Sequence, residues 1–315
     1  VTILLMVLLN KLLTMFAAAN LYQLAWIYGG RSLALAASVL FLFNPASVFY
    51  HSVYSEPLFA CLTIVAIKYV LQNRIKSNRC LDQPIQFIGC NWFALVLFAL
   101  SITVRSTGLF LSLILGLPIL SNLFVSLFTS IKRAIMTAVT GFLTLSIFVA
   151  PFIAYLVYGY YQFCNDTEHP SQFCNNFPPN IYAYVEDKFW QVGFLKYYYT
   201  GQPFQVVFGL LTVVVALSTL FVAITSKRNL LNDLYSIGLT VALVIVAVVT
   251  TLFANVQSGT RFFSTHPLFY ITCGTCLLRT CKQPRFNIYQ KLLICYFTLF
   301  TVAGCLWFPL RFNWA

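Results

Sequence analysis

The chain has 315 residues, of which 60% are hydrophobic and 8% charged, and its formal net charge is +12. Soluble domains carry about 25% charged residues, so no water-soluble fold could hide this much apolar surface. An excess of Lys and Arg would suggest nucleic acid in a soluble protein; here it is what the cytoplasmic loops of a helical membrane protein carry, and no nucleic-acid partner is expected.

A hydrocarbon core of roughly 30 Å takes about 20 apolar residues per helix, which leaves room for about eight to ten spans and little else. No barrel-like alternation of polar and apolar residues occurs, so the fold class expected is all-α: one polytopic transmembrane helical bundle over residues 1–315. In chain order the apolar runs fall at about 1–27, 33–50, 54–72, 90–104, 107–127, 134–160, 204–225, 235–254, 262–279 and 291–310. Val1 enters apolar sequence at once, without the basic flank and cleavage site of a signal peptide, and a preceding N-terminal segment is expected.

Basic residues mark every second junction: Arg31; Arg74, Lys76 and Arg79; Lys132 and Arg133; Lys227 and Arg228; and Arg279, Lys282, Arg285 and Lys291. By the positive-inside rule these junctions are cytoplasmic. The opposite face then holds the hairpin at 50–54, Arg105, a long loop at about 162–203 and the turn at 255–261. That loop carries four of the seven acids, an Asn165-Asp166-Thr167 glycosylation sequon, and Cys164 and Cys174, which could pair in an oxidising lumen.

An ionisable group at membrane depth costs about 2.5 kcal/mol or more, which makes it a functional-site candidate. Lys11 and Lys68 have stems long enough to snorkel, and a structural role accounts for both. Glu56 lies in Asn44-Pro45-Ala46-Ser47 … Tyr54-Ser55-Glu56-Pro57, where one helix stops and another starts. Ser55 fits the N-cap, Pro57 the first turn, and a carboxylate faces the positive end of the dipole, so capping accounts for much of it. The functional reading is a polar pocket that holds a sugar hydroxyl, with Tyr54, Ser55 and Glu56 around it.

Arg105 in Val104-Arg105-Ser106-Thr107-Gly108 and Arg261 in Thr260-Arg261-Phe262 share that face. The planar fork of Arg suits phosphate, so the pair suggests a lipid phosphate headgroup; interfacial snorkelling or an internal pair with Glu56 is the structural alternative. The aromatic segment 181–199, with Asp187, Trp190 and Lys196 among its rings, suits both interfacial anchoring and sugar stacking. Cys273, Cys276 and Cys281 lack a neat fourth ligand, His266 being seven residues upstream of the first, and no metal site is expected. Phosphate-loop, dinucleotide, His-Glu-x-x-His and Gly-x-Ser-x-Gly motifs are absent, and no cofactor is expected.

Five collinear stretches resemble the GPI mannosyltransferase 2 family, called PIG-V in animals: Asn44–Ser47 with Tyr54–Ala60, Val104–Leu109, Ile181–Tyr198, Thr260–Phe262, and Phe312-Asn313-Trp314. The resemblance implies a GT-C type glycosyltransferase, multi-pass in the endoplasmic reticulum membrane. Such an enzyme transfers the second, α-1,6-linked mannose from dolichyl phosphate mannose to the GPI precursor glycolipid, with a small accessory membrane subunit as a further expected partner. It also implies a Trp-Asp motif in a first lumenal loop. No Trp-Asp pair occurs in the 315 residues, so no catalytic residue is assigned, and the expectation is that the N-terminal span and that loop lie outside this chain, leaving it inactive alone. The competing readings are a secondary transporter, which should show an inverted repeat between its halves, and a non-catalytic membrane subunit of a glycolipid-assembly complex. The topology predicts that Asn165 is glycosylated in cells, read as an endoglycosidase-sensitive mass shift lost in Asn165→Gln; cleavage of the 162–203 loop by protease added from the cytoplasmic side would reverse the orientation.

Overall fold

A computed structural model describes residues 2–76, 84–165, 172–175, 179–190, 192–225, 231, 233–279 and 288–307. Outside them lie Arg79, Lys227, Arg228, Lys282 and Arg285 of the basic junctions, Cys281, the Asp166-Thr167 part of the sequon, Gln191, and Phe312-Asn313-Trp314. Among the described residues there are fourteen α-helices and no strand: α1 Thr2–Leu42, α2 Ser47–His51, α3 Glu56–Lys76, α4 Pro84–Val104, α5 Gly108–Leu111, α6 Leu113–Thr129, α7 Ile131–Cys164, α8 Ile181–Lys188, α9 Lys196–Thr200, α10 Pro203–Thr225, α11 Leu234–Leu252, α12 Gly259–Ser264, α13 Pro267–Arg279 and α14 Ile288–Trp307. Each apolar run of the sequence is mostly helical over its described residues. Among the described residues five helices, α1, α7, α10, α11 and α14, are individually long and apolar enough to cross a bilayer, and the chain is a polytopic helical membrane protein.

α1 is two arms. Gly29 and Gly30 leave helical geometry, Gly30 at φ 73°, a conformation open to glycine at little cost. The Ser38 hydroxyl donates to the Ala18 carbonyl at 3.2 Å, which sets the arms side by side and antiparallel. Ala17, Ala25, Ala34 and Ala37 are wholly buried where α1 meets α3 and α13. Lipid tails are as apolar as Leu, so helix association in a membrane relies on close packing of such small residues. Gly238 does the same for α11: a Cβ there would stand 2.5 Å from the Leu113 carbonyl oxygen of α6. α7 keeps Pro151 inside a 34-residue helix, tolerated in membranes because neighbours satisfy the freed backbone groups.

The two ends of α3 carry the two principal charge clusters. At its basic end Arg74 pairs with Asp233. Asp233 caps α11 by accepting from the Ser236 amide at 3.0 Å and the Ser236 hydroxyl at 2.8 Å, and that hydroxyl meets the Tyr28 hydroxyl of α1 at 2.9 Å. Glu56 opens the other end, 18 residues away from Arg74, or about 27 Å along a helix, close to a hydrocarbon thickness. Between them, nearer the Arg74 end, the Lys68 ammonium donates to Asn20 at 2.5 Å and Gln23 at 3.0 Å across α1 and α3. The expected snorkelling lysine is thus satisfied inside the protein.

On the face opposite the basic one, Cys164 at the end of α7 and Cys174 form a disulfide, with Cα atoms 5.6 Å apart. Asn165 directly follows α7. Phe173 packs on Tyr184 of α8, which ties the end of α7 to the aromatic segment. Replacing Gly238 by Ala should push α6 from α11 and lower stability by roughly 1–3 kcal/mol, measured by thermal unfolding in detergent; an unchanged midpoint would refute the close approach.

Candidate functional site

Where the helix break at residues 43–55 returns into α3, Glu56 is fully buried. Its Oε1 accepts from Arg105 Nη1 at 2.6 Å and from Arg261 Nε at 2.6 Å, and Arg261 Nη2 contacts the same oxygen. Three distant stretches of chain, the start of α3, the α4–α5 junction and α12, therefore meet on one carboxylate oxygen. Both arginines are mostly buried, their side chains 13% and 23% exposed. Rings hold the guanidinium faces: Phe59 and Phe262 lie 5.9 and 5.5 Å from the Arg105 Cζ, and Phe49 and Tyr54 lie 4.6 and 5.5 Å from the Arg261 Cζ.

Arg keeps its proton in proteins, so two guanidiniums against one carboxylate leave one positive charge uncompensated in a largely buried setting. Glu56 Oε2 is buried and has no hydrogen-bond partner. Buried polar atoms are otherwise nearly always satisfied, so this oxygen is a free acceptor. Thr107 Oγ1, Thr250 Oγ1 and Asn255 Oδ1 are likewise buried without partners. They sit on the α4–α5 junction, the end of α11 and the turn before α12, the elements that also carry or abut Arg105 and Arg261. A Cβ on Gly259, two residues before Arg261, would stand 2.9 Å from Thr250 Cγ2. These orphaned atoms suit a polar, hydroxyl-rich ligand.

Tyr54 reaches the cluster through its ring, which faces Arg261. Ser55 stands at the start of α3, its carbonyl accepting from the Phe59 amide at 3.0 Å, while its side chain is exposed. Asp187, Trp190 and Lys196 stay on the rim. Asp187 and Lys196 pair with one another at 2.9 Å in the open, Trp190 packs edge-on against Tyr182, and none of the three bonds to Glu56, Arg105 or Arg261. The segment is nevertheless fixed over the site. The Tyr182 hydroxyl meets the Ser106 hydroxyl at 2.7 Å, one residue beyond Arg105. The amides of Gly193 and Leu195 donate to the carbonyls of Phe253 at 2.9 Å and Leu252 at 2.6 Å, which occupies the open C-terminal end of α11. Leu195 takes a left-handed conformation, φ 54°, to do so, a cost accepted where surrounding contacts over-determine the backbone. Burial raises the Glu186 carboxyl above its ordinary value, while the Tyr182 hydroxyl beside it pulls the other way.

Sequence reasoning missed Asn10, whose side-chain amide donates to the Ser52 carbonyl at 2.6 Å and the Tyr54 carbonyl at 3.0 Å. It holds the hairpin that presents Tyr54 and Glu56, and an Asn within a Leu-rich run was the available signal. No cluster able to hold a metal occurs among the described residues.

The sequence model of the family described as Mannosyltransferase (PIG-V) matches residues 1–312. The chain belongs to that family. It is 27% identical over 282 residues to "GPI mannosyltransferase 2" of Gibberella zeae, covering 85% of this chain and 65% of the relative. It is 30% identical over 230 residues to "GPI alpha-1,6-mannosyltransferase 2" of Rattus norvegicus, covering 61% and 41%. To "GPI mannosyltransferase 2" of Candida albicans it is 28% identical over 250 residues, covering 76% and 57%. The chain therefore spans between 41% and 65% of the length of these curated relatives. No solved structure matches it.

Removing the carboxylate would leave two buried guanidiniums facing each other. Glu56→Ala should cost on the order of 3–5 kcal/mol, the range for breaking a buried ion pair, seen as a lower unfolding midpoint in detergent; wild-type stability would show that the three side chains do not form one unit.

Proposed function

We propose that this chain is the greater part of a glycosyltransferase that moves mannose from a lipid phosphate donor, dolichyl phosphate mannose, onto the GPI precursor in the lumenal leaflet of the endoplasmic reticulum membrane, forming the α-1,6 link of the second mannose. The observation that carries the reading is the Glu56–Arg105–Arg261 cluster: a fixed, ring-clamped pair of guanidiniums with one uncompensated positive charge, at the end of α3 opposite the Arg74–Asp233 pair. The names of the relatives supply the sugar, acceptor and linkage.

In a single inverting displacement, a base takes the proton from the acceptor hydroxyl while charge grows on the departing lipid phosphate. Arg105 and Arg261 are placed to neutralise that charge with the N–H donors Glu56 leaves unused, and rigid donors stabilise developing charge without reorganising. Glu56 first positions the arginines, and its free Oε2 accepts from a sugar hydroxyl. Tyr54 and the orphaned Thr107, Thr250 and Asn255 atoms complete the polar wall, and the aromatic segment with Asp187, Trp190 and Lys196 forms its rim. The base is not among these residues. A GT-C type fold is the architecture this reading expects, and a small accessory subunit remains an expected partner. Family membership disfavours the transporter and non-catalytic-subunit readings.

Cells lacking GPI mannosyltransferase 2 activity, given the full-length gene that encodes this chain, should regain surface GPI-anchored proteins; no recovery at normal expression would overturn the reading. In the same protein Arg105→Ala and Arg261→Ala should each lower kcat/KM for the lipid phosphate donor by roughly 10- to 100-fold, as expected for a lost charge-assisted contact, and unchanged turnover at limiting donor would remove the phosphate assignment.

A further inference from the structure

Glu56 holds the two arginines from one side, and the aromatic segment 181–199 reaches them from the other. Among the described residues two tyrosine hydroxyls of that segment bond outside it, and each lands on the stretch that carries one arginine. The Tyr182 hydroxyl meets the Ser106 hydroxyl at 2.7 Å, one residue after Arg105. The Tyr197 hydroxyl lies 2.7 Å from the side-chain oxygen of Gln257, four residues before Arg261, and 3.0 Å from that of Gln205 on α10. By contrast, the Tyr184 hydroxyl accepts from Lys188 within the segment at 2.6 Å, and Tyr199 is 88% exposed.

Gln257 belongs to the single turn Val256–Ser258 that leads into α12. With only six residues, α12 is too short to fix its own direction, so what holds its leading turn decides where Arg261 points. Behind that turn α10 comes so close that a Cβ on Gly209 would stand 2.3 Å from the Val256 carbonyl oxygen, and Val256 is fully buried. On the other flank Tyr197, itself buried, holds the Gln257 side chain, while the Gln257 carbonyl accepts from the Thr260 hydroxyl at 3.2 Å, next to Arg261. Around Arg105 the chain is again a tight turn: the Gly108 amide donates to the Arg105 carbonyl at 3.1 Å and the Leu109 amide to the Ser106 carbonyl at 3.0 Å. These bonds close the turn on itself, and the Tyr182 hydroxyl ties it to α8 from outside.

A guanidinium recognises phosphate through parallel N–H donors in a planar fork, so its orientation matters as much as its charge. We propose that Tyr182 and Tyr197 are positioning residues for the lipid phosphate: Tyr182 sets the fork of Arg105 and Tyr197 the fork of Arg261, each through one hydroxyl. Neither touches the phosphate. The aromatic segment is then the frame against which the arginines are aimed, as well as the rim over the site. The assignment rests on the lipid-phosphate reading of the arginine pair.

The test is equilibrium binding to purified full-length protein in detergent, with a short polyprenyl phosphate and the matching polyprenol as probes, so that no turnover is required. Tyr197→Phe removes one hydroxyl. It should weaken polyprenyl phosphate binding roughly three- to tenfold, the scale of one hydrogen bond, and leave polyprenol binding unchanged; Tyr182→Phe should do the same. Tyr28→Phe is the control, since it deletes a hydroxyl that meets Ser236 at 2.9 Å at the opposite end of the bundle; it should keep wild-type phosphate binding whatever it does to the thermal midpoint. Unchanged phosphate binding in both site variants, equal losses for the two probes, or an equal loss in Tyr28→Phe overturns the inference. Each tyrosine should also answer to its own arginine. The loss from Tyr197→Phe should shrink below about twofold beside Arg261→Lys and persist in full beside Arg105→Lys, with the reverse for Tyr182→Phe; full losses in every combination would show that the tyrosines do not act through the arginines. Should Tyr197→Phe fail to fold, Gln257→Met removes the same bond from the other side, and unchanged phosphate binding in that variant refutes the role of Tyr197. Wild-type protein that binds polyprenyl phosphate no better than polyprenol rejects the phosphate reading and this inference with it, whereas a phosphate preference that depends on the arginines but not on the tyrosines rejects this inference alone.

Discussion

One carboxylate oxygen organises the functional face of this protein. Glu56 Oε1 receives both Arg105 and Arg261, whose residues lie 49 and 205 positions away in sequence. Burying charge in a membrane protein is tolerable only when it is paired and hydrogen-bonded, so each of the three side chains makes the placement of the other two affordable. The helix break before Glu56, the α4–α5 junction and the turn before α12 are stretches of irregular backbone that converge at one end of α3.

The rest of the architecture serves that placement. Small residues let α1 and α13 approach closely, the Arg74–Asp233–Ser236–Tyr28 tie fixes α1, α3 and α11 at the basic end, and the cluster fixes α3, α4 and α12 at the other. A helix pinned at both ends cannot slide along its axis, which keeps the arginines in register with the aromatic segment above them. That segment is itself held by two amides on the open end of α11 and by Tyr182 on Ser106. The disulfide between Cys164 and Cys174 closes its leading side against α7.

The cluster is asymmetric in a way that matters chemically. A balanced pair would be a structural clamp; two guanidiniums on one oxygen, with the second oxygen unpartnered, leave both a positive excess and a free acceptor side by side. Such a combination is suited to a ligand that joins an anion to hydroxyls, as a sugar phosphate ester does.

The amino-acid sequence by itself determined the all-helical, polytopic class, because a bilayer leaves helices as the way to close the backbone; of the roughly eight to ten spans expected, five helices among the described residues are individually long and apolar enough to cross. It also marked Glu56, Arg105 and Arg261 as exceptional, since ionisable residues stand out against a Leu, Val and Phe background, and five short stretches carried the resemblance that the family match over residues 1–312 then showed. What only the tertiary structure decided is which exceptional residues are partners. Glu56 read alone looked like a helix cap beside a sugar, because sequence contains local geometry but not the meeting of α3 with α12. Lys11 and Lys68 looked alike for the same reason: each is one lysine in an apolar run, and only packing shows that Asn20 and Gln23 satisfy Lys68 while Lys11 faces outward.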